Sequence, residues 1–144
     1  LARDVVLIAA AGNKPDASAV YPAAYAGVWA VTAVDARGLV YERATRAAHV
    51  SFAAPGVEVW VPDPIGAGST PDAPIGSYVS GTSFATALAS GAVARLGADF
   101  WRLPPAARKL ALCGAARPSA QSQAVLGCGL LHLEALAPGL AAAR

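Results

Sequence analysis

The chain has 144 residues, 56% of them hydrophobic and 14% charged, with a net charge of +2. Its arginines are scattered and form no basic run, which excludes the electrostatic footprint of a nucleic-acid or membrane-surface binder. The length suits a single domain, and the two cysteines, two histidines and few carboxylates offer no metal-ligand spacing.

Leu1 to Asp4 read as the end of a helix. Val5 to Ala10 is a short apolar, β-branched run closed by Ala11-Gly12-Asn13, the pattern of a buried strand ending in a turn. A polar loop follows to Tyr21, and Val28 to Val34 is a second buried strand before the Asp35-Ala36-Arg37-Gly38 turn. Leu39 to Arg46 alternates weakly and carries Glu42, Arg43 and Arg46, so an exposed edge or loop is expected. Val50 to Ala53 and Val57 to Val61 are short strands split by Pro55-Gly56. Pro62 to Ser77 contains Pro62, Pro64, Pro71, Pro74, Gly66, Gly68 and Gly76, the composition of a surface loop.

Ser80-Gly81-Thr82-Ser83 then turns into a helix whose residues from Phe84 to Leu96 are apolar or small on every side, with Arg95 the one charge. Such a helix belongs inside a domain. Gly91 within it costs about 1 kcal/mol relative to Ala, which implies a close neighbour. Pro104-Pro105 opens a helix from Ala106 to Cys113. Gly114 to Gln123 is a loop, and Gly127 onward reads as a strand followed by a last helix. The apolar window from Ala124 to Ala143 contains His132, Glu134, Pro138 and three glycines, Gly127, Gly129 and Gly139, which argues against a membrane span.

Two stretches carry candidate chemistry. Thr82 or Ser83 can act as an N-cap, the ordinary role of a hydroxyl before an apolar run. Ser83 can equally be a nucleophile whose own N–H and helix dipole stabilise a developing negative charge. Gly12-Asn13 can be plain turn chemistry, or it can aim a side-chain amide at an oxyanion beyond the carboxyl end of a strand.

Taken together, Ala10-Ala11-Gly12-Asn13 and Gly81-Thr82-Ser83-Phe84-Ala85 resemble the subtilisin-like serine peptidases, the subtilases. Tyr21-Pro22 with the strand to Asp35, Ala54-Pro55-Gly56, and Gly127-Cys128-Gly129 fit in the family's order, so the likeness runs from about Val5 to Ala137. The resemblance implies a three-layer α/β fold with a parallel sheet, of which this chain is the carboxyl-terminal part. A composition with so little charge suits half of a larger domain. It implies an endopeptidase acting through an acyl-enzyme, with Ser83 as nucleophile and Asn13 in the oxyanion hole. Gly12, Lys14 and Val20 would belong to the substrate pocket. A lysine at its rim and a valine at its base favour small or medium apolar side chains before the cut.

The family's catalytic Asp and His lie upstream of its oxyanion Asn and outside this chain. The implied partners are therefore a peptide or protein substrate and the missing amino-terminal part of the same domain, with no nucleic acid and no membrane. No cofactor is expected; the family allows structural calcium, but no acidic site for one is visible. Most relatives are exported, which implies a secreted or cell-envelope location.

The sequence departs from the family after Ser83, where Phe84-Ala85-Thr86-Ala87-Leu88 stands in place of a Met-Ala-x-Pro-His segment. A catalytically inactive module of the same fold is one alternative. The sedolisins, which share Gly-Thr-Ser but use Glu as base and Asp at the oxyanion position, are another; Asn13 argues against them. His49 and His132 lack the family's His context and are read as structural. Asp16, Asp35, Asp63 and Asp72 sit in turn-like surroundings. Cys113 and Cys128 are either two small buried thiols or, in an exported protein, a bridge closing a 15-residue loop.

Overall fold

The computed structural model describes residues 5–62, 76–118, 121 and 123–132. Strands β1 (Leu7–Ala10), β2 (Val28–Val34) and β3 (Val50–Pro55) form a parallel sheet in the order β1-β2-β3. β2 lies at its centre, and from Trp29 onward every residue of it is buried. Its unbroken apolar character follows from that, because a central parallel strand is covered on both faces. Val50 pairs with Ala30 and Phe52 with Val31, so the β2–β3 register shifts by one residue. There the Ser51 hydroxyl accepts a bond from the Ala30 N–H at 3.1 Å.

A 13-residue helix, α1 (Thr82–Ala94), packs on one face of the sheet. Ala85, Ala89 and Val93 meet Trp29, Val31, Ala33, Phe52 and Ala54, and Leu96, Phe100 and Leu112 complete this core. The opposite face is covered by two smaller clusters, one around Ala11, Ala23, Ala30 and Val50 and one around Val34, Ala53 and Leu126. α2 (Ala98–Arg102), α3 (Pro105–Ala115) and α4 (Gln123–Leu126) complete the helices of the described residues. The Arg108 side chain of α3 is buried, donates to the Trp101 carbonyl at 2.6 Å and lies over the Trp101 ring. Cys113 in α3 and Cys128 are joined by a disulfide, with Cα atoms 5.3 Å apart.

Several sequence expectations need correction. α1 is apolar all round, yet only the face made by Thr82, Ala85, Ala89 and Val93 is buried, and Leu88 is 47% exposed. The sheet reaches one side of the helix, and no described residue covers the other. Gly91 consequently has no close neighbour among the described residues. Leu39 to Arg46 is a loop, as one of the two expectations had it, but not an exposed one throughout, since Ala44 and Thr45 are fully buried. A short antiparallel ribbon pairs β4 (Val59–Pro62) with β5 (Gly76–Val79), so the proline-rich stretch ends in a strand that its composition hid. The closing Gly127 strand is reduced to single bridges from Leu130 to Ala53 and to Arg117. The expectations for Leu1–Asp4, for 63–75 and for the helix after His132 lie outside the described residues.

Candidate active site

The ladder between β1 and β2 continues one residue past β1, where the Ala11 N–H donates to the Val31 carbonyl at 2.9 Å. Gly12 then takes a φ of +117°, conformational space that side-chain-bearing residues avoid. A β-carbon on it would also fall 2.5 Å from Thr45 Oγ1 and 2.8 Å from Val20 Cγ2. The chain therefore turns sharply off the strand end and carries Asn13 toward the first turn of α1.

That turn comes close because of Gly56. Its N–H donates to the Val34 carbonyl at 3.0 Å and its carbonyl accepts from the Gly81 N–H at 2.8 Å. Gly81 is the N-cap of α1 and no side chain caps the helix, so the capping role open to Thr82 or Ser83 is not what these residues do. Thr82, fully buried, points across to Asn13 instead. Its N–H and its hydroxyl both donate to Asn13 Oδ1, each at 3.0 Å, and its oxygen accepts from the Gly12 N–H at 3.3 Å.

The first turn of a helix leaves its N–H groups without intrahelical acceptors. Here Thr82 N–H is taken by Asn13, and Phe84 N–H and Ala85 N–H by the Gly81 carbonyl. Among the described residues, Ser83 N–H has no acceptor and its hydroxyl no partner. Ser83 is exposed, as is Asn13. The Ser83 hydroxyl and N–H, unpartnered among the described residues, thus lie one residue from the anchored Asn13 amide's contact, at the positive end of a helix dipole, where negative charge is favoured.

The match to a family model described as the subtilase family covers residues 1–129. The chain belongs to the subtilases.

No curated protein matches this subtilase. Among solved structures it is similar to the prenylagaramide maturation protease PagA, at 29% identity over 92% of this chain and 50% of that one, with a TM-score of 0.71. It is similar to the patellamide maturation protease PatA at 28% identity over 98% of this chain and 53% of that one, with a TM-score of 0.75. A lanthipeptide protease shares the fold at 19% identity and a TM-score of 0.78. The chain spans about half the length of each of these structures. The α/β architecture with its parallel sheet is that of subtilisin-like protease domains.

Within this subtilase, Gly12 and Val20 are in contact beside Asn13, whereas Lys14 is exposed beyond it. Sequence reasoning missed Thr45. Its N–H donates to the Gly12 carbonyl at 2.9 Å and its Oγ1 accepts from the Lys14 N–H at 3.4 Å, so it grips the turn on both sides of Asn13. His49 Nε2 lies 3.1 Å from the Ala11 carbonyl, and Arg46 N–H donates to the Asp16 carbonyl. The weak periodicity of Leu39 to Arg46 concealed a support for the site. Neither histidine reaches Ser83, since His132 lies against Arg117. Asp16 and Asp35 serve in turns as expected. The Ser18 N–H bonded to Asp16 holds that carboxyl below the ordinary value, and the Leu39 N–H does the same for Asp35. Among the described residues no cluster of His, Cys, Asp and Glu could hold a metal ion, and no helix is long and apolar enough to cross a membrane.

Proposed function

We propose that this chain carries the nucleophile and the oxyanion-binding half of a serine endopeptidase. The observation that supports it is the first turn of α1, where one residue offers a hydroxyl and an N–H that are both unpartnered among the described residues, beside the residue that holds the Asn13 amide. On this reading Ser83 Oγ bonds to the substrate carbonyl carbon while its proton passes to a general base. The carbonyl electron pair moves onto oxygen, where Ser83 N–H and Asn13 Nδ2–H donate to it. Collapse expels the protonated amine and leaves an ester on Ser83. Water, deprotonated by the same base, then releases the acid.

On the family resemblance the base is a histidine supplied from outside these residues; His49 lies against the Ala11 carbonyl and His132 against Arg117. Gly12, Lys14 and Val20 belong to the pocket for the side chain before the cut. The Cys113–Cys128 disulfide favours a secreted or cell-envelope setting, since such bonds are rare in reducing compartments.

The test compares the complete enzyme with residues 1–144 alone. In the complete enzyme an organophosphonate probe labels Ser83, and Asn13→Ala lowers kcat by about 10²–10³ with little change in KM, a magnitude taken over from subtilisin. The isolated chain neither labels nor hydrolyses, and adding the amino-terminal part as a separate piece restores both. Rapid labelling of the isolated monomer would mean that a base inside these residues does the work. A complete enzyme inert to both probe and peptide would turn the reading over to a binding module of the same fold.

A further inference from the structure

We propose that Trp60 and Tyr78 form an aromatic shelf that takes an aromatic side chain of the substrate, about four residues beyond the cut. The proposal rests on the peptidase reading of Ser83 and names a preference of that same site. The β4–β5 ribbon wears its largest apolar side chains on the outside. Val59, Val61 and Val79 are half-buried, whereas Trp60 is 49% and Tyr78 71% exposed. Two large aromatic rings held together on an outer face make a contiguous apolar surface, the kind that marks an interaction site.

The shelf has a fixed geometry. Trp60 and Tyr78 are direct cross-strand partners, with ring centroids 5.2 Å apart and planes inclined at 67°. The indole extends across the ribbon onto Gly76, where a β-carbon would fall 2.6 Å from Trp60 Cζ2. A side chain at Gly76 would displace the ring. Each ring therefore limits the other, and little rotamer freedom is left to lose when a third ring packs against them.

The ribbon is rooted at the turn that opens α1. Ser80 Oγ accepts from the Glu58 N–H at 2.9 Å, and the Gly81 N–H donates to the Gly56 carbonyl at 2.8 Å, so both strands are tied to the nucleophile turn. From Tyr78 the chain runs extended through Gly81 and then helical to Ser83, a span of about 13 Å at most. An extended peptide covers that distance in about four residues. The direction follows from the sheet order. Gly12, Asn13 and Val20 follow β1 at one end of that order, and the ribbon follows β3 at the other. A substrate whose side chain before the cut enters the pocket thus runs its leaving part toward the ribbon.

The test uses the complete enzyme and matched peptides carrying Phe or Ala at the third, fourth or fifth position after the cut. At one of these positions Phe should raise kcat/KM about three- to tenfold over Ala, the range for one aromatic contact, with the gain carried in KM. Trp60→Ser should bring that ratio close to one, and Trp60→Phe should keep most of it. A parental ratio of one at all three positions would overturn the proposal, as would a preference that survives Trp60→Ser. A Trp60→Ser enzyme equally damaged on both peptides would overturn it too, and would mean that the ribbon packs on the rest of the domain. Self-association that Trp60→Ser abolishes, read by sedimentation, would give the shelf to a second copy of the chain instead. If the complete enzyme cleaves no peptide, the peptidase reading fails by itself and binding decides for the shelf. The Phe peptide should then shift the tryptophan emission of the parent but not of Trp60→Phe; the same response in both would refute the shelf.

Discussion

The approach of α1 to the sheet is set by the absence of one side chain, and Gly56→Ala measures how closely. A β-carbon at Gly56 would lie 2.8 Å from the β-carbons of Ala33 and Ala85 and 3.0 Å from the Gly81 carbonyl oxygen. Ordinary contact begins at 3.4 Å, so strand β2 and helix α1 would each have to yield by a few tenths of an ångström. Neither neighbour can rotate away, because an alanine β-carbon is fixed to its backbone. Overpacking of this kind costs about 1–3 kcal/mol. Each kcal/mol lowers Tm by about 2–4 °C in a domain of about 150–250 residues.

The displacement is directed at the site, because Gly81 immediately precedes Thr82. On the peptidase reading, a shift of about half an ångström between Ser83 and Asn13 should lower kcat about tenfold, given that a 1 Å error costs about 10²-fold. The assay is thermal unfolding together with steady-state hydrolysis by the complete enzyme. Gly114→Ala serves as the control: it sits in α3 with open space around it and should stabilise by up to about 1 kcal/mol without touching activity. A Gly56→Ala enzyme with parental Tm and kcat would refute the account of how the helix is held.

Three further outcomes follow from the structure. Reducing the Cys113–Cys128 bridge, or replacing Cys128 by Ser, should lower the unfolding free energy by about 3 kcal/mol for a 15-residue loop, read from urea midpoints with and without reductant; coincident midpoints would contradict it. Asp35, whose carboxyl is held below its ordinary value by Leu39 N–H and then by Arg37, stabilises its turn fully above the unfolded carboxylate range. That contribution is lost as pH falls through the folded value, so parent and Asp35→Asn midpoints should converge below about pH 4 and separate, with the parent higher, above about pH 5. A peptide-library profile should favour small or medium apolar residues before the cut, and one dominated by Arg or Lys would reject the assignment of Lys14 and Val20 to the pocket.

The parts of this fold written in local sequence were readable. Val28 to Val34 is a run of apolar residues because it is the middle strand, and the observed β2 has the same ends. Pro104-Pro105 marks the start of α3 for a steric reason that needs no tertiary context. Gly12-Asn13 and Gly81-Thr82-Ser83 were legible as a pair, and the structure brings Asn13 and Thr82 into contact. What stayed hidden was set by distant partners. Thr45 has no distinguishing neighbours in sequence and matters only because Gly12 folds over it. The five residues of α2 are too few to display a period, and β5 exists only through its pairing with β4. Composition alone could not say that no described residue covers one side of α1, because burial depends on what packs against a helix as well as on its residues.

The bonds between Asn13 and Thr82 span 69 positions of chain. A contact of that reach forms only after the intervening strands have organised, since closing so long a loop carries an entropic cost that local structure does not repay. Nothing in the Gly12-Asn13 turn by itself holds the amide in place, and nothing in the helix does so without that turn. On the peptidase reading, a chain still folding possesses its serine but no aimed oxyanion donor. Competence and completion of the sheet therefore arrive together, and the newly made protein is harmless to itself and its neighbours until its last long-range bonds are in place.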